Sequence, residues 1–313
     1  SCGENTAGDY LMFYRYLILV GLLVCCQAHA AIEVIDDNGD KLSLNSAANR
    51  IISLSPNTTE ILFHIGAGNK IVGADEYSNY PPAANDIIRV NNHAAANYEL
   101  IISLKPDLVI AWQSGNGEKI IARLRELGLP VFVVETQSMA DIPSLYKRLG
   151  QLSGRSKQAD QQAKFFADNL QQLHQSFASR KKIRTFYQIW NDPLMTLNGE
   201  HILTDIIELC GGVNVFEDSI ALVPYVNMES VLAKDPQVII SGGANQNDLW
   251  NLGIWQKWSG LSAVKNRQIY SIPSDLLQRH SDRILQGAEL VCQHLEQARS
   301  ATKVVSNKIA PKI

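Results

Sequence analysis

The sequence lacks several features that mark common classes of protein. Its 28 Lys and Arg are outnumbered by 31 Asp and Glu, so no basic surplus points to nucleic acid or anionic membrane as a partner. No internal stretch approaches the roughly 20 apolar residues of a membrane-spanning helix. Gly-rich phosphate-binding loops, the Gly-x-Ser-x-Gly elbow and the zinc-protease motif are also absent. These absences disfavour nucleotide-binding enzymes and the common hydrolases.

The N-terminal residues have the pattern of a targeting segment. Arg15 precedes the apolar stretch 16–26, and Ala28-His29-Ala30 follows with small residues at its first and third positions. These are, in order, the three parts of a secretory signal peptide. We therefore expect export with cleavage near Ala30. A lipidated Cys25 or Cys26, or a short buried helix, remains the alternative.

Cysteine is scarce once this segment is removed. Cleavage leaves Cys210 and Cys292 of the five cysteines. Two cysteines in an oxidising compartment favour one disulfide, and closing so long a loop contributes about 4–5 kcal/mol in the chain-entropy model. Two buried free thiols are the alternative. Neither cysteine lies beside a plausible base, which argues against a catalytic thiol.

Short β-rich runs alternate with amphipathic segments along the rest of the chain. Apolar runs typical of buried strands occur at 51–54, 70–73, 108–111 and 131–134, and again at 185–188, 238–240 and 268–272. Helical patterns lie between them, such as 118–127 before Gly128, and a last one spans 282–299. This order predicts parallel sheets with helices on both faces.

Residues 153–179 separate the two series and carry apolar residues at three- or four-residue spacing, as in a long amphipathic helix. We therefore predict an α/β fold of two lobes, each with a central, mainly parallel sheet flanked by helices, joined by one long rigid helix. The predicted divisions are 1–30 for upstream sequence and signal peptide, 31–150 for the N-terminal lobe, 151–181 for the linking helix, 182–300 for the C-terminal lobe and 301–313 for a frayed tail.

The two halves also repeat in detail. Segment 99–110 can be laid over 229–240, which aligns Glu99 with Glu229 and Pro106 with Pro236. Each copy runs into a loop rich in Gly and Asn, so the two loops are expected at equivalent strand ends. In open α/β sheets ligands bind outside the carboxyl ends of the strands. Two facing lobes would then form a binding cleft, although chance similarity of helix-turn-strand units remains the alternative.

The N-terminal half contains three distinctive motifs: Ser-Pro-Asn-Thr-Thr-Glu at 55–60, Tyr-Ser-Asn-Tyr-Pro-Pro at 77–82 and Leu-Lys-Pro-Asp-Leu-Val-Ile-Ala-Trp at 104–112. These motifs resemble the periplasmic cobalamin-binding proteins of ABC importers. The C-terminal half agrees at 208–216 and in Ser274, Asp275 and Arg279. The resemblance covers about residues 49–297, and the wider family also takes iron-siderophores and haem. It implies a non-enzymatic receptor with two α/β lobes bridged by a rigid helix, and a disulfide between Cys210 and Cys292.

The resemblance also implies which residues hold the ligand between the lobes. Tyr77 and Trp112 match aromatic pocket residues, and Asp275 and Arg279 match polar contacts. This sequence departs from the family's aromatics in carrying His93, Met195 and Val223 instead. Trp190 and Tyr225 are nearby candidates to refill that space. From the residues alone, Trp112 could equally be a packing tryptophan, Tyr77 a turn residue, and Asp275 with Arg279 an exposed ion pair.

Two glutamates are expected to act outside the pocket. The resemblance implies that Glu60 and Glu229 dock on arginines of the membrane subunits, so both should be exposed on one outer face, one per lobe. The local alternative is that each complements a helix dipole.

The remaining expectations concern partners. We expect a monomer that binds cobalamin as transported ligand, with no resident cofactor, metal or nucleic acid. The alternatives are a receptor for another corrinoid, haem or an iron-siderophore, and a periplasmic metal chaperone or enzyme that uses His93 and other histidines.

Overall fold

The computed structural model describes residues 31–91, 95–243 and 250–309. The first half begins with an antiparallel hairpin and continues as a sheet interleaved with helices. Its elements are β1 (Ile32–Ile35), β2 (Lys41–Leu44), β3 (Ile51–Ser53), α1 (Pro56–His64), β4 (Ile71–Asp75), β5 (Arg89–Asn91), α2 (Tyr98–Ser103), β6 (Leu108–Trp112), α3 (Gln113–Glu126), β7 (Val131–Val134) and α4 (Ile142–Ser153). The sheet has the order β5-β4-β3-β6-β7, and all its neighbours are parallel.

The composition of these strands explains why the sheet is parallel and covered. All four residues of β7 are buried, as are all three of β3. A strand with helices over both faces needs apolar side chains on both faces, so it reads as a continuous apolar run. The helix predicted at 118–127 overlaps α3, which begins earlier, breaks at Gly117, where φ is 76°, and ends at Glu126.

The second half repeats the arrangement with a four-stranded sheet and adds a two-stranded hairpin. Its elements are α5 (Ser156–Phe177), β8 (Ile183–Gln188), β9 (Trp190–Asn191), β10 (Leu194–Met195), α6 (Ile202–Leu209), β11 (Gly212–Asn214), α7 (Met228–Lys234), β12 (Val238–Gly243), α8 (Ser262–Lys265), β13 (Ile269–Pro273), α9 (Ser274–Leu277) and α10 (Ile284–Ile309). The sheet has the order β11-β8-β12-β13, again with parallel neighbours. The predicted fold class, two parallel sheets flanked by helices, is confirmed.

The helix between the two sheets is shorter than the sequence pattern indicated. The predicted helix covers 153–179, whereas α4 ends at Ser153 and α5 begins at Ser156. Gly154 causes the break, because its φ of 69° is the left-handed conformation that ends helices. The side chains of Ala159, Ala163 and Phe166 are buried along α5. The domain limits given above stay predictions.

The last helix extends beyond its predicted end and carries the disulfide. The predicted helix stops at 299 and a frayed tail follows from 301, but α10 continues to Ile309. Neither Gly nor Pro occurs between 301 and 309 to interrupt it. Cys292 of α10 is bonded to Cys210, which follows α6, with the sulfurs 2.03 Å apart. The expected pairing is therefore confirmed in the structure.

One apolar core runs through both halves of the molecule. It includes Ile61 and Leu62 of α1, Phe166 of α5 and Leu295 of α10, all fully buried. The packing therefore continues from the first sheet across the linking helix to the second. No helix in the described ranges is long and apolar enough to span a membrane.

Candidate functional site

A cavity of about 400 Å³ lies between the lobes, at the carboxyl ends of the strands. The first lobe contributes residues at or just beyond the ends of β3, β4, β5 and β6, and the second lobe contributes α9 and the residues after it. Four predicted ligand-binding residues line it together: Tyr77, Trp112, Asp275 and Arg279. Residues more than 160 positions apart in the chain are thus brought to one site.

Trp112 forms one wall and is held there by its neighbours. Its backbone N–H donates to Asn116 Oδ1 at 2.7 Å, and Asn116 Nδ2 donates to the Leu54 carbonyl at 3.0 Å. The indole packs against the first turn of α3, where Gly115 leaves room for it. A Cβ at Gly115 would lie 1.9 Å from Trp112 Cε3. The glycine therefore sets the position of the ring.

Tyr77 belongs to the loop after β4 and offers its ring to solvent. Its backbone N–H donates to Asp75 Oδ1 at 2.8 Å, which fixes the start of the loop. The side chain is 52% exposed. An exposed aromatic face on a held backbone is available to cover an apolar ligand surface.

Asp275 and Arg279 form the polar side of the cavity. Arg279 Nη2 lies 3.0 Å from Asp275 Oδ1. Pro273 occupies the cap position of α9, which has only four residues and begins at Ser274. Arg279 thus lies beyond the helix, and its position depends on other contacts.

Those contacts come from Glu60, and they show that the expected exposure of Glu60 on an outer face was wrong. The Glu60 side chain is only 1% exposed, and its Oε1 lies 2.9 Å from Arg279 Nη1 and 3.1 Å from Arg283 Nη1. Ser281 Oγ donates to Glu60 Oε2 at 2.5 Å. A buried carboxylate needs such partners. Glu60 is therefore an internal group that joins α1 to the second lobe, not an exposed anchor for a membrane subunit.

Residues 279–283, which we call the interlobe strap, make further contacts with the first lobe. Arg279 Nη1 also donates to Asn79 Oδ1 at 2.7 Å, and the Arg283 guanidinium lies 4.2 Å from the centre of the Tyr80 ring. Arg279 is thus fixed by groups of both lobes at the edge of the cavity.

The interlobe strap makes a second ion pair with the first lobe, next to the one that involves Glu60. His64 Nδ1 lies 3.1 Å from Asp282 Oδ1, and the Tyr146 hydroxyl donates to the same oxygen at 3.2 Å. The hydrogen bond to Asp282 raises the pKa of His64, although burial opposes it. Burial alone would raise the pKa of Asp282, but its hydrogen bonds, first that with His64, lower it overall. Both shifts favour the charged pair.

His280, within the strap, also lines the cavity and was not singled out by the sequence. Burial lowers its pKa to about 4, and the nearby His201 adds to the effect. The imidazole is therefore neutral near neutral pH. No group of three or more potential metal ligands occurs among the described residues.

Three further predicted ligand residues lie elsewhere on the second lobe. Trp190 and Met195 face each other across the β9–β10 hairpin, and Met195 forms a bridge with Tyr225. Trp190 and Tyr225 are 51% and 70% exposed. They are brought together but do not line the cavity. His93 lies outside the described residues.

Glu229 is exposed as expected, and the structure reveals its counterpart in the other lobe. Asn227 caps α7 by accepting from the Ser230 N–H at 2.8 Å, and Glu229 lies in the first turn. In α2, Asn97 accepts from the Leu100 N–H at 3.0 Å, and Glu99 lies in the first turn. Glu99 is likewise exposed. The sequence repeat that aligns Glu99 with Glu229 was the signal for this pair.

The two parallel sheets with a cleft between their carboxyl ends, bridged by a helix, define a two-lobed binding protein of the α/β class. The sequence matches the periplasmic binding protein family over residues 51–276. The chain belongs to this family, in agreement with the expectation of a binding protein rather than an enzyme.

Individual relatives of known name are also similar to this chain over most of its length. A vitamin B12-binding protein of Vibrio cholerae serotype O1 is 40% identical over 253 residues, which cover 80% of this chain and 91% of the relative. The vitamin B12-binding protein of Yersinia pestis is 35% identical over 249 residues, which cover 80% of this chain and 87% of that relative. The crystal structure of the periplasmic vitamin B12 binding protein BtuF of Vibrio cholerae matches with a TM-score of 0.75 at 40% identity, over 80% of this chain and 98% of that one.

Proposed function

We propose that this protein captures cobalamin in the interlobe cleft and delivers it to the membrane subunits of an ABC importer. The observation that carries the proposal is the 40% identity to a vitamin B12-binding protein, in a match that covers 91% of that relative. The convergence of Tyr77, Trp112, Asp275 and Arg279 on one interlobe cavity supports it.

The site suits a ligand with a large apolar face and a polar periphery. Trp112 and Tyr77 offer aromatic area from the first lobe, where stacking and burial contribute to binding. Asp275 and Arg279 offer an acceptor and donors from the second lobe. Trp190, Met195 and Tyr225 extend the aromatic and apolar surface on the second lobe, and His93 is retained as a candidate contact.

The glutamates that we propose for docking on the membrane subunits are Glu99 and Glu229, because Glu60 is buried. Glu99 and Glu229 occupy equivalent first turns of α2 and α7, one in each lobe, and both are exposed. Two carboxylates on a rigid frame would fix the orientation of the receptor over arginines of the membrane subunits. The proposed location is the periplasm, after cleavage near Ala30, where the Cys210–Cys292 disulfide would persist.

A direct test is the absorption spectrum of the purified protein after mixing with cobalamin and desalting. We expect corrinoid bands to remain with the protein in a one-to-one ratio. Parallel samples with haem and with a ferric siderophore serve as competitors. Retention of haem or iron-siderophore bands without any corrinoid would overturn the proposal in favour of another receptor on the same fold.

A further inference from the structure

Two buried polar residues that line the cavity, Asp75 and Asn91, have so far been given no part in binding a ligand. Asp75 ends β4 and Asn91 ends β5, and both line the cavity. Asp75 is 6% exposed and Asn91 is 9% exposed. Buried polar atoms normally have a hydrogen-bond partner, so each polar atom of these two side chains is expected to have one.

The carboxylate and the amide are oriented by each other. Asn91 Nδ2 donates to Asp75 Oδ2 at 3.0 Å, and the Tyr77 N–H donates to Asp75 Oδ1 at 2.8 Å. Because the amide nitrogen faces the carboxylate, the amide oxygen is directed away from it. Asn91 Oδ1 has no hydrogen-bond partner among the described residues. An unsatisfied acceptor therefore lies beside a carboxylate in the wall of a ligand cavity.

The charge of this corner is negative and partly compensated. Arg89 Nη1 donates to the Asp75 backbone carbonyl at 3.2 Å, so its charge lies close to the carboxylate. Burial raises the pKa of Asp75 above its usual value, although the Tyr77 and Asn91 hydrogen bonds and the charge of Arg89 oppose the shift. The pair offers two kinds of acceptor to the cavity, the Asp75 carboxylate and Asn91 Oδ1, while one N–H of Asn91 Nδ2 is used by Asp75 Oδ2.

We propose that Asp75 and Asn91 form a subsite that accepts the N–H groups of a primary carboxamide on the ligand. This inference rests on the proposed function, because the corrin periphery carries such amides. A primary amide presents N–H donors in a planar fork that matches two neighbouring acceptors. A carboxylate in its place would bring no donor and would oppose the charge of Asp75. The subsite therefore selects amide over acid.

The test compares cobalamin with its monocarboxylic acids, in each of which one peripheral amide is hydrolysed. Dissociation constants are measured by tryptophan fluorescence or calorimetry. We expect the protein to bind cobalamin about 10- to 100-fold more tightly than at least one of these acids, since juxtaposed like charges are strongly disfavoured. Asp75→Asn removes the charge with little change of shape and should reduce that ratio to a few-fold at most.

Glu76→Gln is the matched control, because Glu76 is the adjacent residue but is exposed and does not line the cavity. It should leave the ratio unchanged. Asn91→Ser is a second variant for the case in which Asp75→Asn is poorly folded. It removes the free amide oxygen but keeps Asp75, so cobalamin affinity should fall several-fold while the preference for amide over acid persists.

The outcomes separate this inference from the function on which it rests. Equal affinity for cobalamin and all the acids, or a ratio that Asp75→Asn leaves intact, overturns the subsite while the receptor function stands. If the unaltered protein retains no corrinoid at all, the proposed function and the subsite both fall.

Discussion

At the residue scale, the clearest prediction concerns Trp112. Trp112→Ala should weaken cobalamin binding by about 1–3 kcal/mol, because a large aromatic contact in a binding site is lost. Calorimetry gives the affinity, and a thermal melt checks the fold. Phe165→Ala is the control, since Phe165 is an exposed aromatic on α5 that does not line the cavity. Unchanged affinity in a folded Trp112→Ala protein would remove Trp112 from the site.

Glu60 gives a second residue-scale prediction. Glu60→Gln leaves the buried Arg279 and the partly buried Arg283 without their carboxylate, and breaking a buried ion pair costs about 3–5 kcal/mol of unfolding free energy. Ligand affinity should fall as well, because Glu60 holds Arg279 at the cavity. Urea denaturation measures the first effect. Glu289→Gln, at an exposed carboxylate on α10, should change neither quantity.

The same residues show what the sequence could and could not predict. Tyr77, Trp112, Asp275 and Arg279 were predicted from motifs that resemble a known family, and the structure places all four at one cavity. The role of Glu60 was not found, because its partners lie more than 200 residues later in the chain. Nothing in the local pattern distinguishes a carboxylate that faces solvent from one that faces another lobe.

At the scale of elements, the repeat detected in the sequence is a repeat of structure. Lys105 and Asp235 align, and both have positive φ, 46° and 41°. Each ends its helix and precedes a proline and a strand. Arg50 donates to the Leu104 carbonyl and Arg184 to the Asp235 carbonyl, so equivalent arginines cap equivalent helices. Gly154, in contrast, was included in the first turn of the predicted linking helix, which begins instead at Ser156.

The equivalence of α2 and α7 leads to a prediction about docking. The double variant Glu99→Ala and Glu229→Ala should abolish or strongly weaken association with the transporter, because truncating one partner of an interfacial ion pair leaves the other charge unpaired. Co-purification with the membrane subunits and uptake assays measure the effect. Cobalamin affinity should barely change. Asp160→Ala with Glu289→Ala, two exposed carboxylates elsewhere, is the matched control, and normal uptake by the test variant would refute the docking role.

The interlobe strap should respond to pH through His64 and Asp282. The raised pKa of His64 means that its contribution to stability is fully present below its unfolded value of 6.5 and is lost as the pH rises through the folded pKa. The lowered pKa of Asp282 means that its contribution is present above its unfolded value of 3.8 and is lost as the pH falls through the folded pKa. The pair should therefore contribute most between these two unfolded values.

The measurement is the difference in unfolding free energy between the unaltered protein and His64→Gln across this range. The difference should be largest in mild acid and shrink above neutrality. Asp282→Asn should remove the same pH dependence. A difference that stays the same from strong acid to well above neutrality would show that the ion pair does not form.

At the scale of the whole molecule, three features oppose a large hinge motion. The chain passes from the first sheet to the second through α5, a continuous helix of 22 residues. The apolar core is shared by both halves. The interlobe strap adds buried ion pairs from the second lobe to α1. Opening the cleft widely would expose that core and separate those charges, and both changes cost free energy.

We therefore expect cobalamin to bind with only slight closure. X-ray scattering in solution, with and without cobalamin, should give nearly the same radius of gyration. Glu60→Gln is the informative comparison, because it weakens the strap while leaving α5 and the shared core intact. If the interlobe strap contributes to rigidity, this variant should have a larger radius of gyration than the unaltered protein without ligand, and its radius should decrease on binding. A large contraction of the unaltered protein would instead show that α5 and the core permit hinge closure, and the strap would then be a latch that forms on binding.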